Sequence, residues 1–355
     1  MQVLTTDETI AGPVPRAARV RWIDAGRGVA IAMVVLFHTA NWLSAAGADV
    51  DAWIEFNTVV SSLRMPLFFA LSGLFARKWV TGSWRGLWDA KLRLYLWVFV
   101  VWSVIGSFAF IAGVRMKGEG SLAGAVIPAL TALGRPRLEL WFIWALALFF
   151  VVARLTRKVP PWVQLTVAGL GAAVALSGWE TASPAWSGSV KYYAFFLAGL
   201  HLREVVLRIG SSRRRVVLVA AALVWAAVSV GLWRYGLREV PGLYFVNCVL
   251  GIVAGIALAR VLARFEVLRS IGSQTLPIYL AHTPVIIAVA VLLHLAGLTG
   301  GLVVVVALPL LLAVFAIATA LRLRTVAERH GAGWLYSPPG WFFRPAVPAR
   351  PAAGS

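Results

Sequence analysis

Residues 274–296 read QTLPIYLAHTPVIIAVAVLLHLA, a run of 23 residues without Asp, Glu, Lys or Arg. Because an α-helix rises about 1.5 Å per residue, such a run is long enough to cross the roughly 30 Å apolar core of a bilayer. Short polar or basic segments separate it from nine similar apolar runs. The ten predicted spans are 27–46, 56–77, 92–113, 138–154, 162–178, 190–203, 216–235, 242–263, 274–296 and 300–323. The pattern predicts an all-α fold, a polytopic transmembrane helical bundle.

The composition also indicates a membrane protein and excludes a soluble globular one. Of the 355 residues, 60% are hydrophobic and 13% are charged, whereas soluble domains carry about 25% charged residues. The net charge of +19 does not indicate nucleic-acid binding, because the arginines lie at the ends of apolar runs, where lipid head groups attract them. The single cysteine, Cys248, excludes an intrachain disulfide. No H-E-x-x-H, Walker A or G-x-S-x-G motif is present, and we predict no metal.

Lysine and arginine are distributed unevenly between the two sets of loops. With the N-terminus placed in the cytoplasm, the inner segments hold 25 of these residues, the outer loops hold 7, and Arg64 lies within a span. The positive-inside rule therefore predicts that both termini are cytoplasmic. We expect a flexible cytoplasmic arm (1–20), a membrane domain (21–325) and a Pro-rich cytoplasmic tail (326–355) that has no regular structure from Ser337 onwards. Residues 114–137 fit a loop, a surface helix or a re-entrant segment.

Arg27 and His38 are two ionisable residues near one face of the first predicted span. They are eleven positions apart, which at about 100° per residue places them on the same side of a helix, about 16 Å apart along its axis. Ionisable side chains are costly inside a bilayer and therefore suggest a functional site. Asn41, one turn beyond His38, is placed to hydrogen bond the imidazole. The spacing alone also fits a membrane-anchoring arginine and a histidine that bonds a neighbouring helix.

Residues 21–38, RWIDAGRGVAIAMVVLFH, resemble the first helix of the integral-membrane acyltransferase family 3, in which an arginine and ten further residues precede a histidine. Three other motifs follow in the order found in that family. They are FFALSG at 68–73, similar to its Phe-Phe-x-x-Ser-Gly element, LWFI at 140–143, similar to Leu-Trp-Tyr-Leu, and IYLAHTP at 278–284, similar to Tyr-Leu-x-His-x-Pro. The resemblance extends over about residues 21–325.

The resemblance implies transfer of an acyl group, expected to be acetyl, from acyl-CoA to a hydroxyl of a carbohydrate or glycosylated acceptor. No metal is required, because a thioester needs only a base for the incoming hydroxyl and a site that holds both reactants. His38 is the expected general base or covalent acyl carrier, and the sequence leaves that choice open.

Arg27 is assigned to the catalytic site and, with Lys91 and Arg93, to binding of the CoA phosphates. Many family members have paired arginines followed by a proline at this point. This chain has Lys91 and Arg93 without the proline, and a positive-inside loop would also account for these two cations.

Further residues are predicted to line an acceptor site or pocket, and each also has a structural interpretation. They are Asn41, Arg64, Ser72, Trp141, Tyr279 and His282. Arg64 could instead pair with Glu139, and Ser72 could belong to a small pair that lets helices pack closely. Tyr279 and His282 share a helix face and could serve packing alone.

Two other functions fit the same pattern. Ten spans with buried ionisable groups would also suit a transporter or exporter of a lipid-linked or anionic solute, although no inverted repeat is visible. A non-catalytic membrane partner or sensor is the third interpretation. In each case we expect a multi-pass protein of the cell's inner (plasma) membrane that binds no nucleic acid. The acyltransferase interpretation adds acyl-CoA and a carbohydrate or glycoconjugate acceptor as partners.

Overall fold

A computed structural model of the chain describes residues 20–116, 136, 139–212 and 214–342. The predicted N-terminal arm and most of segment 114–137 therefore lie outside the described residues. Within them the structure is helical and contains no β-strand. The α-helices are α1 Arg21–Ala45, α2 Asp51–Val59, α3 Ser61–Gly73, α4 Arg77–Thr81, α5 Trp84–Leu87, α6 Arg93–Met116, α7 Trp141–Leu155, α8 Pro161–Ala175, α9 Pro184–His201, α10 Arg203–Ser211, α11 Arg215–Arg234, α12 Leu243–Leu262, α13 Glu266–Ser273, α14 Thr275–Leu295, α15 Leu302–Val306 and α16 Leu308–Arg329. A π-helix covers Trp88–Leu92, and 3₁₀ turns cover Leu237–Glu239 and Gly333–Leu335.

Among the described residues, six helical stretches are long and apolar enough to cross a membrane. They are Arg21–Ala45, Trp84–Gly113, Val216–Arg234, Leu243–Leu262, Thr275–Leu295 and Leu308–Arg329. The apolar helices α7 and α8 are shorter, at 15 residues each. The chain is therefore a multi-pass, all-helical membrane protein. The total of ten spans and the cytoplasmic position of both termini stay predictions.

The predicted span 56–77 is divided between two helices. α2 ends at Val59 and α3 begins at Ser61. The Ser61 hydroxyl donates a 2.6 Å hydrogen bond to the carbonyl of Thr58, an acceptor that a continuous helix would use for its own backbone. Pro66, within α3, also lacks the N–H that would bond the preceding turn. Local side-chain hydrogen bonding thus competes with helix continuation.

Helix α1 lies at the centre of the described bundle and packs against α3, α12, α13, α14 and α16. Glycines permit two of the closest approaches in the bundle. A side chain at Gly28 would meet the Leu268 carbonyl of α13, and one at Gly73 would meet the Phe196 carbonyl of α9. Small residues at helix interfaces are a common solution in membranes, where packing drives association. These two close contacts join α1 to α13 and α3 to α9.

The first part of the tail packs against α6, and residues 337–342 contain only bends and turns. The Trp97 indole donates to the carbonyl of Trp334 at 2.5 Å, and the Trp102 indole donates to that of Leu335 at 2.7 Å. An indole N–H near the membrane surface requires an acceptor, and the chain itself provides two. Residues 330–342 therefore form part of the bundle, while 343–355 lie outside the described residues.

Candidate active site

A cavity of about 390 Å³ lies where the C-terminal half of α1 meets the N-terminal ends of α3, α7 and α9. We call this the His38 end of the bundle, and the opposite end, where α1 begins, the Arg27 end. The charge asymmetry of the sequence predicts that the His38 end faces outwards. The cavity wall combines aromatic rings with ionisable groups from several elements. These groups are His38, Arg64, Glu139, Glu180 and Lys191.

His38 contacts a carboxylate. Its Nδ1 lies 3.5 Å from Oε1 of Glu139, and the two side chains are 16% and 20% exposed. The Trp42 side chain hydrogen bonds the Glu139 carboxylate, and the Tyr279 hydroxyl donates to the Glu139 backbone carbonyl. Both the side chain and the backbone of Glu139 are thus held beside the imidazole.

His282 is fully buried behind His38, with the two ring centroids 5.3 Å apart. Its Nδ1 lies 3.0 and 2.8 Å from the carbonyl oxygens of Ile278 and Tyr279. Since carbonyls only accept, Nδ1 carries the proton. Nε2 then accepts from the Thr283 hydroxyl at 3.2 Å. Both nitrogens of His282 are satisfied within its own helix, so this ring supports His38 by packing.

Arg64 is buried in the cavity wall, with 7% of its surface exposed. Its Nη1 donates to Oδ1 of Asn57 at 3.3 Å, and its Cζ lies 4.2 Å from the centroid of the Phe37 ring. The described residues show no ion pair between Arg64 and Glu139, the structural alternative that the sequence suggested. Glu139 contacts His38 instead.

Two other predicted pocket residues, Trp141 and Tyr279, also line the cavity. Trp141 stacks on Tyr192, with ring centroids 5.9 Å apart and an interplanar angle of 28°. Tyr192 lies on the cavity wall as well. The pair forms an aromatic part of the cavity wall.

The predicted residues Asn41 and Ser72 lie elsewhere. Asn41 does not line the cavity and, within the described part of the chain, makes no hydrogen bond to His38. The Ser72 hydroxyl donates to the carbonyl of Phe68 in its own helix at 2.8 Å. The adjacent Gly73 mediates the close contact between α3 and α9, so this small pair lies in a helix interface.

Arg27 lies at the opposite end of α1, half-buried against the end of α3. Its Nη2 is 3.5 Å from the carbonyl oxygen of Leu71, and its Cζ is 5.1 Å from the centroid of the Phe75 ring. Helix α1 runs without interruption from Arg21 to Ala45. Arg27 and His38 are therefore three turns apart on one continuous helix, about 16 Å along its axis.

Lys91 and Arg93 have different surroundings at the Arg27 end. Lys91 lies on the π-helix, within electrostatic range of Arg27, and its Nζ is 5.9 Å from the centroid of the Trp79 ring. The buried Arg93 donates through Nη2 to the carbonyl of Pro339 at 2.8 Å. The structure thus brings Lys91 towards Arg27 and turns Arg93 towards the tail.

Glu139, Tyr192 and the ion pair of Lys191 with Glu180 are candidate site residues that the sequence analysis did not select. Glu139 falls inside the predicted span 138–154, so its charge within an apolar run was the available signal. The Lys191 Nζ lies 2.7 Å from Oε1 of Glu180. This hydrogen bond and the charge of Lys191 lower the pKa of the Glu180 carboxyl.

A carboxylate-oriented histidine in a small aromatic cavity can act as a general base in group transfer. The family comparison agrees with this chemistry. The family model described as "Acyltransferase domain" matches residues 20–323. The chain therefore belongs to the integral-membrane acyltransferase family 3 and is a membrane acyltransferase.

An individual relative is more distant. The chain is 24% identical over 363 residues to inner membrane protein YcfT of Escherichia coli (strain K12), and the match covers 90% of this chain and 96% of that protein. No solved structure gives a significant match.

Proposed function

We propose that this acyltransferase resides in the inner membrane and moves an acetyl group from cytoplasmic acetyl-CoA to a hydroxyl of a carbohydrate or glycoconjugate. CoA binds at the Arg27 end, and the acceptor enters the cavity at the His38 end. The contact between His38 and Glu139 inside this cavity carries the proposal. Because α1 is continuous, it connects the two sites without a hinge. CoA suits this arrangement, since a flexible arm separates its phosphates from its thioester.

The base in this proposal is Nε2 of His38. A carboxylate beside Nδ1 favours the tautomer with the proton on Nδ1, which leaves the Nε2 lone pair free. The acceptor oxygen attacks the thioester carbon while Nε2 takes the hydroxyl proton. The tetrahedral intermediate then collapses, the C–S bond breaks, and the CoA sulfur receives the proton. Transfer through an acetylated His38 uses the same atom as nucleophile.

The aromatic wall is proposed to hold the acceptor. Stacked faces such as those of Trp141 and Tyr192 suit the apolar C–H faces of sugar rings. They also limit the entry of water, which would otherwise hydrolyse the thioester. Tyr279 closes the wall near Glu139, to whose backbone it is bonded.

Arg27 and Lys91 are proposed to bind the CoA phosphates. A guanidinium can form two parallel hydrogen bonds with one phosphate, and an ammonium adds a compact second charge. Arg93 donates to tail carbonyls. We therefore assign it a positioning role: it fixes the N-terminus of α6 beside the phosphate site.

The test uses membranes that contain the protein, their own glycolipids as acceptors, and acetyl-CoA labelled in the acetyl group. His38→Ala should lower the rate of label transfer at least about a hundredfold, because a general base contributes about 10²–10⁴ in rate. Binding of acetyl-CoA should stay unchanged, since the Arg27 end is intact.

His294→Ala is the matched control, because this histidine bonds the carbonyl of Ala46 and does not line the cavity. It should retain the wild-type rate. A well-folded His38→Ala protein that keeps more than about a tenth of that rate would exclude His38 from the reaction, given the size of general-base effects.

A further inference from the structure

We infer that the acceptor carries an oxyanion, a carboxylate or a phosphate, and that Arg64 binds it. This inference rests on the proposed function, because it names the acceptor class of the same cavity. Arg64 would then be a specificity residue that selects acidic or phosphorylated glycans over neutral ones.

Arg64 places a positive charge in the buried wall of the cavity. Arg64 has 7% of its surface exposed, and arginine cannot lose its proton under physiological conditions. A charge removed from water requires a compensating charge or a full set of hydrogen bonds. Arg64 therefore needs either a negative partner or further hydrogen-bond acceptors in this cavity.

The described part of the chain does not provide that partner. One guanidinium nitrogen donates to the neutral amide oxygen of Asn57, and the Phe37 ring covers one face. No carboxylate of the described residues lies within 4.0 Å of the guanidinium. The two acidic residues of the cavity wall have other partners: Glu139 contacts His38, and Glu180 pairs with Lys191.

A cavity ligand can supply the missing charge. Arg64 lines the cavity, and of its five N–H groups only those on Nη1 have a protein acceptor in the described structure. The remaining donors form a planar fork, which matches two oxygens of a carboxylate or phosphate better than it matches a hydroxyl. Lys191, the other cation of the wall, is already neutralised by Glu180.

The position of Arg64 separates anion binding from the reaction. The Phe37 ring contacts the Arg64 guanidinium on one side, and its centroid lies 5.0 Å from that of His38. An anion on Arg64 would thus lie beside the reacting hydroxyl, with Phe37 between the guanidinium and the base. Arg64 would orient the acceptor without touching the thioester.

The experiment measures ligand-induced changes in the melting temperature of the detergent-purified, full-length protein. Glucuronate and inorganic phosphate are titrated at constant ionic strength, with glucose as the neutral control. Glucuronate or phosphate should raise the melting temperature, and glucose should not. A response to glucuronate alone assigns an acidic sugar. A response to phosphate alone assigns a phosphate-bearing acceptor where Arg64→Gln weakens it, because phosphate bound at the proposed CoA site would stabilise both proteins equally.

Variants assign the effect to Arg64. Arg64→Gln should weaken anion binding at least about tenfold, as expected for loss of a charged hydrogen-bond donor. Arg238→Gln should leave it unchanged, because Arg238 contacts Ser61 and Tyr244 and does not line the cavity. If Arg64→Gln does not fold, Arg64→Lys serves instead: it keeps the charge, loses the fork and should still weaken binding.

Two results overturn the inference: no response of the wild-type protein to either anion, or an equal response in the Arg64 variant. Label transfer from acetyl-CoA, measured in parallel, separates this inference from the proposed function. Transfer without an anion response contradicts the anionic acceptor alone. An anion response without transfer contradicts the acetyl-transfer proposal alone.

Discussion

The two ends of α1 satisfy their ionisable side chains in different ways. At the His38 end, an imidazole and a carboxylate contact each other inside a cavity. At the Arg27 end, the guanidinium of Arg27 lies against a backbone carbonyl and an aromatic face, and Lys91 lies near an indole. Arg27 and Lys91 are the two cations at this end that we propose for the CoA phosphates.

The two ends of α1 therefore suit two different steps of the proposed reaction. The Arg27 end suits electrostatic capture of a charged donor, and the His38 end suits proton transfer in an enclosed space. Three helical turns keep Arg27 and Lys91, the cations proposed for the donor, away from the base, and Arg64 is the buried cation of the cavity wall that we assign to the acceptor. An imidazole close to several cations would be a weaker base, because nearby positive charge disfavours its protonation.

The largest expected effect is a difference in cysteine labelling between the two ends, which tests the side of the membrane that each end faces. In a Cys248→Ala background, Ala296→Cys at the His38 end should react with a membrane-impermeant maleimide in intact cells. Ser212→Cys, at the Arg27 end, should react only after the membranes are opened. The contrast should be all-or-none, because the bilayer excludes the reagent. Outside labelling of Ser212→Cys would reverse the proposed donor side.

The next effect concerns the His38 end. Glu139→Gln keeps a hydrogen-bond acceptor but removes the negative charge that stabilises the imidazolium formed during transfer. We expect the transfer rate to fall by about a hundredfold, within the usual range for general-base catalysis, with little change in the KM for acetyl-CoA. Initial rates over a range of acetyl-CoA concentrations measure both.

Glu328→Gln is the control for Glu139→Gln, since this exposed carboxylate pairs with Arg324 and does not line the cavity. It should change the rate less than about threefold, in line with the small value of exposed ion pairs. Equal effects of the two substitutions would contradict a special role for Glu139.

The smallest expected effect is a change in the KM for acetyl-CoA on substitution at the Arg27 end. Arg27→Lys keeps the positive charge and loses the planar fork, so the KM for acetyl-CoA should rise about tenfold while kcat stays nearly constant. Arg21→Lys, an exposed position on the same helix, should alter neither constant. A fall in kcat at constant KM would place Arg27 in the chemical step and weaken the contrast between the two ends.

The helices follow closely from the sequence because hydropathy is a local property. Each of the ten apolar runs overlaps a described helix. The break between α2 and α3 was missed, since it coincides with a local hydrogen bond from the Ser61 hydroxyl to the Thr58 carbonyl and not with a change in apolar character. The packing of residues 334 and 335 on α6 could not be read from the sequence, because their partners, Trp97 and Trp102, lie more than 230 positions earlier in the chain.

In the candidate site too, relations within one helix could be predicted from the sequence, and contacts between helices could not. The relation between Arg27 and His38 is set by helix geometry, so their spacing could be read from the sequence. The contact between His38 and Glu139 joins two spans, and periodicity within one span carries no information about it. Asn41 shows the opposite error: it lies one turn from His38, but proximity along a helix did not produce a hydrogen bond.

The packing of residues 330–342 on α6 has a consequence for biosynthesis. The ribosome completes α6 long before it makes the carbonyl groups that accept the protons of Trp97 and Trp102. These contacts of α6 can therefore form only after residues 334 and 335 have been made, so α6 can enter the membrane before two of its indole N–H groups have their acceptors.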